Sequence, residues 1–129
     1  MTTLCFAGNR IGVTVDQMDA IFRVIEEYGV TELRYGDGNG SDEIARREAL
    51  AKNVRVVVSP LDISACDMLL VCPYENEEQE RSVTWELARS GVSLGKEVIV
   101  ALPDRRVLHY NPSRESLANN KASKPGKGR

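Results

Sequence analysis

Tyr35-Gly36-Asp37-Gly38-Asn39-Gly40-Ser41-Asp42-Glu43-Ile44-Ala45 is the stretch that decides the fold. An apolar run, Thr31 to Tyr35, ends there. Three glycines follow at every second position, and then a polar cap opens an amphipathic segment. This is the pattern of a strand, a tight loop and a helix. Glycine allows backbone with φ > 0 and close approach to a ligand. The helix start presents unpaired N–H groups and the positive end of its dipole to the loop. The stretch therefore reads as a phosphate cradle at a strand–helix junction; a mobile surface loop is the plainer alternative.

Outward from it, the same alternation recurs. Toward the N-terminus, Thr2 to Ala7 is apolar and runs into Gly8-Asn9-Arg10-Ile11-Gly12. Thr14 with Gln17 predicts a capping box. Met18, Ile21, Phe22, Ile25 and Tyr28 then follow at helical spacing, with Gly29 as the C-terminal stop. Toward the C-terminus a helix is expected over 41–52, with Ile44, Ala45 and Ala49 inward. Val54 to Val58 and Asp67 to Cys72 read as strands buried on both faces. A helix over 82–94 places Leu87, Gly91 and Leu94 on one side, and Glu97 to Leu102 is read as the last strand, closed by Pro103-Asp104. Five apolar strands alternating with helices predict an α/β, Rossmann-like three-layer domain on a mainly parallel five-stranded sheet. It spans residues 1–104; residues 105–129 are read as an extension, disordered from about 112. Ligands on such sheets sit at the C-terminal strand ends.

One link strains this reading. Only Ser59 to Cys66 remain between two parallel strands, whereas a crossover usually takes a dozen residues or more. Eight extended residues reach about 26–29 Å. The link is either a bare extended segment with one helical turn or an unusual pairing, exchanged between chains.

Charge narrows the partners. Residues 112–129 carry Arg114, Lys121, Lys124, Lys127 and Arg129 against Glu115, a net +4, so the remaining 111 residues carry −6 of the chain's total of −2. An acidic body argues against a duplex nucleic-acid binder; the basic end reads as a solvated tail, with a nucleic-acid accessory contact as the weaker alternative. Cys5, Cys66 and Cys72 are odd in number and lack C-x-x-C spacing. Cys5 and Cys72, in apolar runs, read as small buried hydrophobes of a reducing, cytoplasmic compartment. No apolar run reaches a membrane span of about 18 residues. No cofactor or metal is expected. No His/Cys cluster has zinc spacing, the acidic run from Glu75 to Glu80 reads as a solvated loop, and the single histidine, His109, which any triad would have to use, lies past the expected last strand and so argues against triad chemistry.

The order G-N-R-x-G, G-D-G-x-G-S-D-x-x-A, D-x-L-L-V-x-P, R-S-x-T-W-E and G-K-x-V-I-V, over about residues 4–104, resembles the SLOG superfamily. That group unites the Lonely Guy phosphoribohydrolases, the Rossmann domain of DNA-processing protein A and many small proteins. The resemblance implies a Rossmann-like fold, a nucleotide or nucleotide-derived ligand, and a homodimer or higher homo-oligomer. The superfamily's enzymes carry P-G-G-x-G-T-x-x-E. Here Pro73 and Thr84 remain, an acidic insert replaces the glycines, and Glu86 stands two residues after Thr84 rather than three. The stretch from Trp85 to Lys96 also resembles the last helix and strand of nucleoside 2-deoxyribosyltransferases, where a glutamate at the helix start is the nucleophile.

These readings assign candidate residues. Gly36, Asp37, Gly38, Asn39, Gly40 and Ser41 form the cradle, and Asp42 is a cap or an acceptor for ribose hydroxyls. Gly8, Asn9 and Arg10 face it, with Arg10 able to fork onto a phosphate; an exposed turn arginine is the bland alternative. Arg81, Ser82 and Thr84 open a helix that suits a second anion, or merely cap it. Trp85 is a stacking platform or a core plug. Glu86 is the catalytic candidate: a carboxylate can stabilise or capture the oxocarbenium-like sugar of N-glycosidic cleavage. Its alternative role is to complement the helix dipole. The first functional expectation is a sensor or sequestering module for a nucleotide signal. The second is an N-glycosidase or deoxyribosyltransferase using Glu86.

Overall fold

The structure, a computed structural model, describes residues 2–36, 40–58 and 60–110. Asp37, Gly38 and Asn39 of the cradle, and the expected disorder from 112, lie outside the described residues. The elements are β1 (Thr2–Gly8), α1 (Val15–Glu27), β2 (Val30–Tyr35), α2 (Ser41–Ala51), β3 (Arg55–Val58), a single 3-10 turn (Ile63–Ala65), β4 (Met68–Cys72), α3 (Val83–Ser93), β5 (Glu97–Ala101) and β6 (Val107–Tyr110). They form one sheet in the order β3-β2-β1-β4-β5-β6. Pairing is parallel from β3 through β5 and antiparallel at β6. The fold is a Rossmann-like α/β domain, as the alternation of elements predicts.

Side-chain period two divides the core between the sheet's faces. Leu4, Phe6, Leu33 and Leu70 pack with Ile21 and Ile25 of α1 and Ala45 and Ala49 of α2. Cys5, Ala7, Leu69, Val71 and Val98 pack on the other side with Ile63 and with Trp85 and Ala88 of α3. Burying one such large aliphatic side chain contributes about 1.5–3 kcal/mol. The alanines of α2 allow it to lie close against β1 and α1. Thr14 and Gln17 form the reciprocal capping box, and Gly29 follows the helix with φ 59°.

Four expectations are corrected. The sheet has six strands, not five. Pro103-Asp104-Arg105 does not end the sheet but turns it into β6, with Leu102 N–H donating to Arg106 O at 2.9 Å. The turn is fastened by the Arg106 guanidinium on Asp104, which holds that carboxyl below its usual range. Val54 to Val58 is not doubly buried: β3 is an edge strand, and Val58 is exposed. Phe22 and Leu94, expected on inner helix faces, are exposed, while Ala20, Val24 and Ala88 are buried instead. Finally, Cys5 is buried as expected but is paired, in a disulfide with Cys66, their Cα atoms 5.8 Å apart.

The short link crosses as the first of its two alternatives. It passes from β3 beneath β2 and β1 to β4, three strand spacings or about 14 Å, within its reach. One 3-10 turn replaces the crossover helix, capped by the Asp62 carboxylate, which accepts from Ser64 N at 3.1 Å and Ser64 Oγ at 2.6 Å. Those bonds, the hydroxyl's first, hold the Asp62 carboxyl below its ordinary value. Ile63 fills the space a longer helix would cover. Among the described residues no helix is long and apolar enough to cross a membrane.

Cys72 is buried at the end of β4, and burial pushes its thiol far up from the ordinary value of 9.0. The folded protein should therefore resist iodoacetamide at Cys72 at neutral pH and react there in urea, as read by peptide mass spectrometry. As pH rises past about 9 the unfolded thiol ionises and the folded one does not, so Cys72 makes stability fall on the alkaline side.

Candidate functional site

The C-terminal end of β1 is organised by Asn9. Its N–H and its Nδ2 both donate to Cys72 O, at 3.1 and 3.2 Å, which ties the turn to β4. Its Oδ1 accepts from Ile11 N and Gly12 N, both at 2.9 Å. Its carbonyl accepts from Ser41 N at 3.2 Å and Ser41 Oγ at 2.7 Å, which ties the turn to α2. Asn9 thus joins three elements through one residue.

The glycines on either side of this knot have a packing reason. A Cβ on Gly8 would overlap Ser41 Cβ and stand 2.8 Å from Ser41 Oγ. A Cβ on Gly40 would overlap the Arg10 carbonyl, and Gly40 has φ 55° and ψ −118°. Gly36 is different: a Cβ there meets no described atom within 4 Å. Two of the sequence's candidate glycines therefore serve contact between the β1–α1 and β2–α2 loops. The Ser41 N–H at the start of α2, expected to face a ligand, is occupied by Asn9 O.

Above the knot lies a cavity of about 400 Å³. It brings together six candidates from the sequence: Gly8, Asn9, Arg10, Gly36, Asp42 and Thr84. The apolar part of its wall, Phe6, Leu61, Val83 and Leu87, was not assigned to a site from the sequence. Leu87 carried a helical-period signal for burial; Leu61 sits in the link, where no periodicity operates. Asp42 is buried and Arg10 exposed, so opposite charges stand at different depths. Val83 and Thr84 lie in the first turn of α3, where N–H groups have no intrahelical acceptor.

The remaining candidates fall elsewhere. Gly40 and Ser41 lie beneath the cavity, in the loop contact. Ser82 caps α3, its hydroxyl accepting from Trp85 N at 3.3 Å. Arg81 is exposed and outside the cavity lining. Trp85 is a core plug, buried among the second cluster, and borders a separate hollow of about 330 Å³ with Arg89, Val92 and Tyr110. Glu86 is exposed on α3, while Val83, Thr84 and Leu87 on the same helix line the cavity. The acidic insert is held by arginines. Arg89 reaches the Glu78 carboxylate at 2.6 Å and the carbonyls of Gln79 and Glu80, and Arg106 reaches Asn76 O at 3.0 Å. Among the described residues no group of three or more His, Cys, Asp or Glu is placed to hold a metal ion.

The chain matches no family model, no curated protein and no solved structure. What is fixed is the architecture. In this strand order the chain winds outward from β1 in one direction through β3 and in the other from β4 to β6, so the point of reversal lies between β1 and β4. The cavity is built around the end of β1, from residues that follow β1 and β2 and open α3. This is where a Rossmann-like sheet leaves a crevice at its carboxyl edge.

A second cavity, about 390 Å³, lies on the α1 side of the Asn9 turn. Asn9 lines both. Gln17, expected only as a cap, is buried in its floor and gives both Nε2 hydrogens away, to Pro73 O and Ala101 O at 2.8 Å each.

Proposed function

We propose that this protein binds a nucleotide or nucleotide-derived small molecule at the carboxyl edge of the sheet, as a sensor or a sequestering module. The observation that carries this reading is the convergence of Gly8, Asn9, Arg10, Gly36, Asp42 and Thr84 on one cavity beside the switch point. These are the residues that the resemblance to the SLOG superfamily also marks. Arg10 supplies a guanidinium for a phosphate, the first turn of α3 supplies N–H groups for the same anion, and Asp42 accepts from ribose hydroxyls. The anion sits toward Arg10 and α3 rather than over α2, because the Asn9 carbonyl occupies the α2 end. A homodimer accords with the same resemblance, and light scattering on the purified chain tests it.

The glycosidase reading draws less support. Its nucleophile, Glu86, does not line the cavity in which a sugar would sit. Binding without turnover is accordingly the reading preferred.

Titration calorimetry with AMP, GMP, CMP and UMP tests the site. Arg10→Ala should weaken the tightest of them by roughly 10- to 100-fold, the effect of a hydrogen bond to a charged group. Equal affinity for the variant and the parent would remove Arg10 from the site. Recovery of free base from the incubation, abolished in Glu86→Ala, would instead favour the enzyme.

A further inference from the structure

The two cavities beside the Asn9 turn differ in kind. The first has Arg10 and Asp42 in its wall. The second has no Asp, Glu, Lys or Arg among its lining residues. The side chains of Asn9, Thr14 and Gln17 in its wall are bonded to backbone groups. Asn9 Oδ1 accepts two N–H groups. Thr14 Oγ1 accepts from Gln17 N at 3.1 Å and donates to Pro103 O at 3.3 Å. Gln17 donates both amide hydrogens and accepts from Thr14 N at 3.0 Å. What faces inward besides these is Ile11, Val13, Tyr74 and Pro103. An anion moved there would lose its hydration with no charge to replace it. A neutral planar ring loses little, and gains stacking area.

Tyr74 supplies that area. It follows Pro73 directly after β4, is 59% exposed, and borders the cavity together with Pro103 from the β5–β6 turn. Ile11, 75% exposed, stands on the β1–α1 side of the same cavity. An exposed tyrosine and isoleucine on either side of a hollow with no charged lining residue offer apolar area to a planar ring. The volume, about 390 Å³, is within the range of small-ligand pockets.

We infer that the second cavity is the ring subsite of the same ligand: a neutral aromatic heterocycle packs on Tyr74 while its anionic end lies across the Asn9 turn at Arg10. This rests on the nucleotide-binding reading and adds an orientation to it, with the base toward α1 and β5 and the phosphate toward α3. It also assigns specificity. Ring size and shape are sensed by Tyr74, Ile11 and Pro103; Asn9, Thr14 and Gln17 read hydrogen-bonding edges weakly, because their polar atoms are engaged with backbone.

The test is calorimetry on the full chain with the four nucleoside monophosphates and, in parallel, ribose 5-phosphate, which has the sugar and the anionic end but no heterocyclic base. Tyr74→Ala should weaken the tightest nucleotide by about tenfold or more, the usual effect of removing an aromatic platform from a base. Ribose 5-phosphate should bind the variant and the parent alike, and Tyr74→Phe should bind the nucleotide as the parent does. Tyr74 is exposed, so an unchanged melting temperature of Tyr74→Ala serves as the folding control. Loss of both ligands to the same extent, or of neither, overturns the ring subsite and leaves the nucleotide reading in place. If neither the nucleotides nor ribose 5-phosphate bind the parent, the nucleotide reading fails and the subsite fails with it.

Discussion

Gly40→Ala should lower the melting temperature by on the order of 10 °C, whereas Gly36→Ala should leave it within about 2 °C. The two glycines stand at opposite ends of one loop, and sequence spacing gives them the same role. Their surroundings do not. At Gly40 the backbone has φ 55° with ψ −118°, and a methyl group would run into the Arg10 carbonyl, which is main chain and cannot rotate away. Strained backbone costs about 1–3 kcal/mol, and overpacking costs about 1–3 kcal/mol more. At Gly36 neither cost arises, since a Cβ meets no described atom and the residue has no positive φ. Thermal melts of both variants decide the point. Equal effects would mean that the β1–α1 and β2–α2 loops do not meet as described. The sequence pattern alone predicts a different result for Gly40, lost ligand binding in an intact fold. The structure assigns the larger loss to folding, because Gly40 holds the wall of the cavity rather than its surface.

Gln17→Ala should destabilise the protein by about 2–5 kcal/mol, with the denaturant midpoint shifted and the slope kept. The side chain is buried and reaches three partners: Pro73 O beyond β4, Ala101 O at the end of β5, and Thr14 N at the start of α1. Truncation leaves two buried carbonyls and one N–H without a partner, each costing about 1–3 kcal/mol before any relaxation. Gln17→Glu sharpens the prediction. A carboxylate facing two carbonyl oxygens is disfavoured in its charged form, so its folded pKa rises above the unfolded value of about 4.3. The variant should then come closest to the parent in stability below pH 4 and fall away as pH rises toward 7. A pH-independent difference would show that Gln17 does not face those carbonyls.

How much of this was legible in the residues depends on the kind of signal. Strands β1, β4 and β5 and the three helices carry unbroken apolar runs or helical periods. Caps at Thr14, Ser82, Gly29 and Gly95 then place their ends closely. β6 was missed because Val107-Leu108-His109-Tyr110 is short and half exposed, and because Pro-Asp was read as a stop rather than a reversal. β3 was misjudged because β-branched residues favour a strand anywhere in a sheet, and position in the sheet follows from topology, not propensity. In the site, the sequence marked the right loops without separating two functions of glycine. Close approach of chain to chain, at Gly8 and Gly40, leaves the same letter as close approach to a ligand. The second cavity had no sequence signal, since Tyr74, Val13 and Pro103 come from three separate loops and share no spacing. The Cys5–Cys66 pairing is equally non-local, its partners separated by 61 positions in sequence.

Amide chemical-shift mapping of the full chain, titrated with the nucleoside monophosphates, tests the central claim most directly, because it locates a ligand residue by residue. Saturable shifts are expected at Gly8, Asn9, Arg10, Gly36, Asp42 and Thr84, with Ile11 and Tyr74 moving in the same titration and all of them diminished in Arg10→Ala. Shifts confined instead to Arg89, Val92 and Tyr110 around the third hollow, or no saturable shift with any of the four nucleotides, would contradict it.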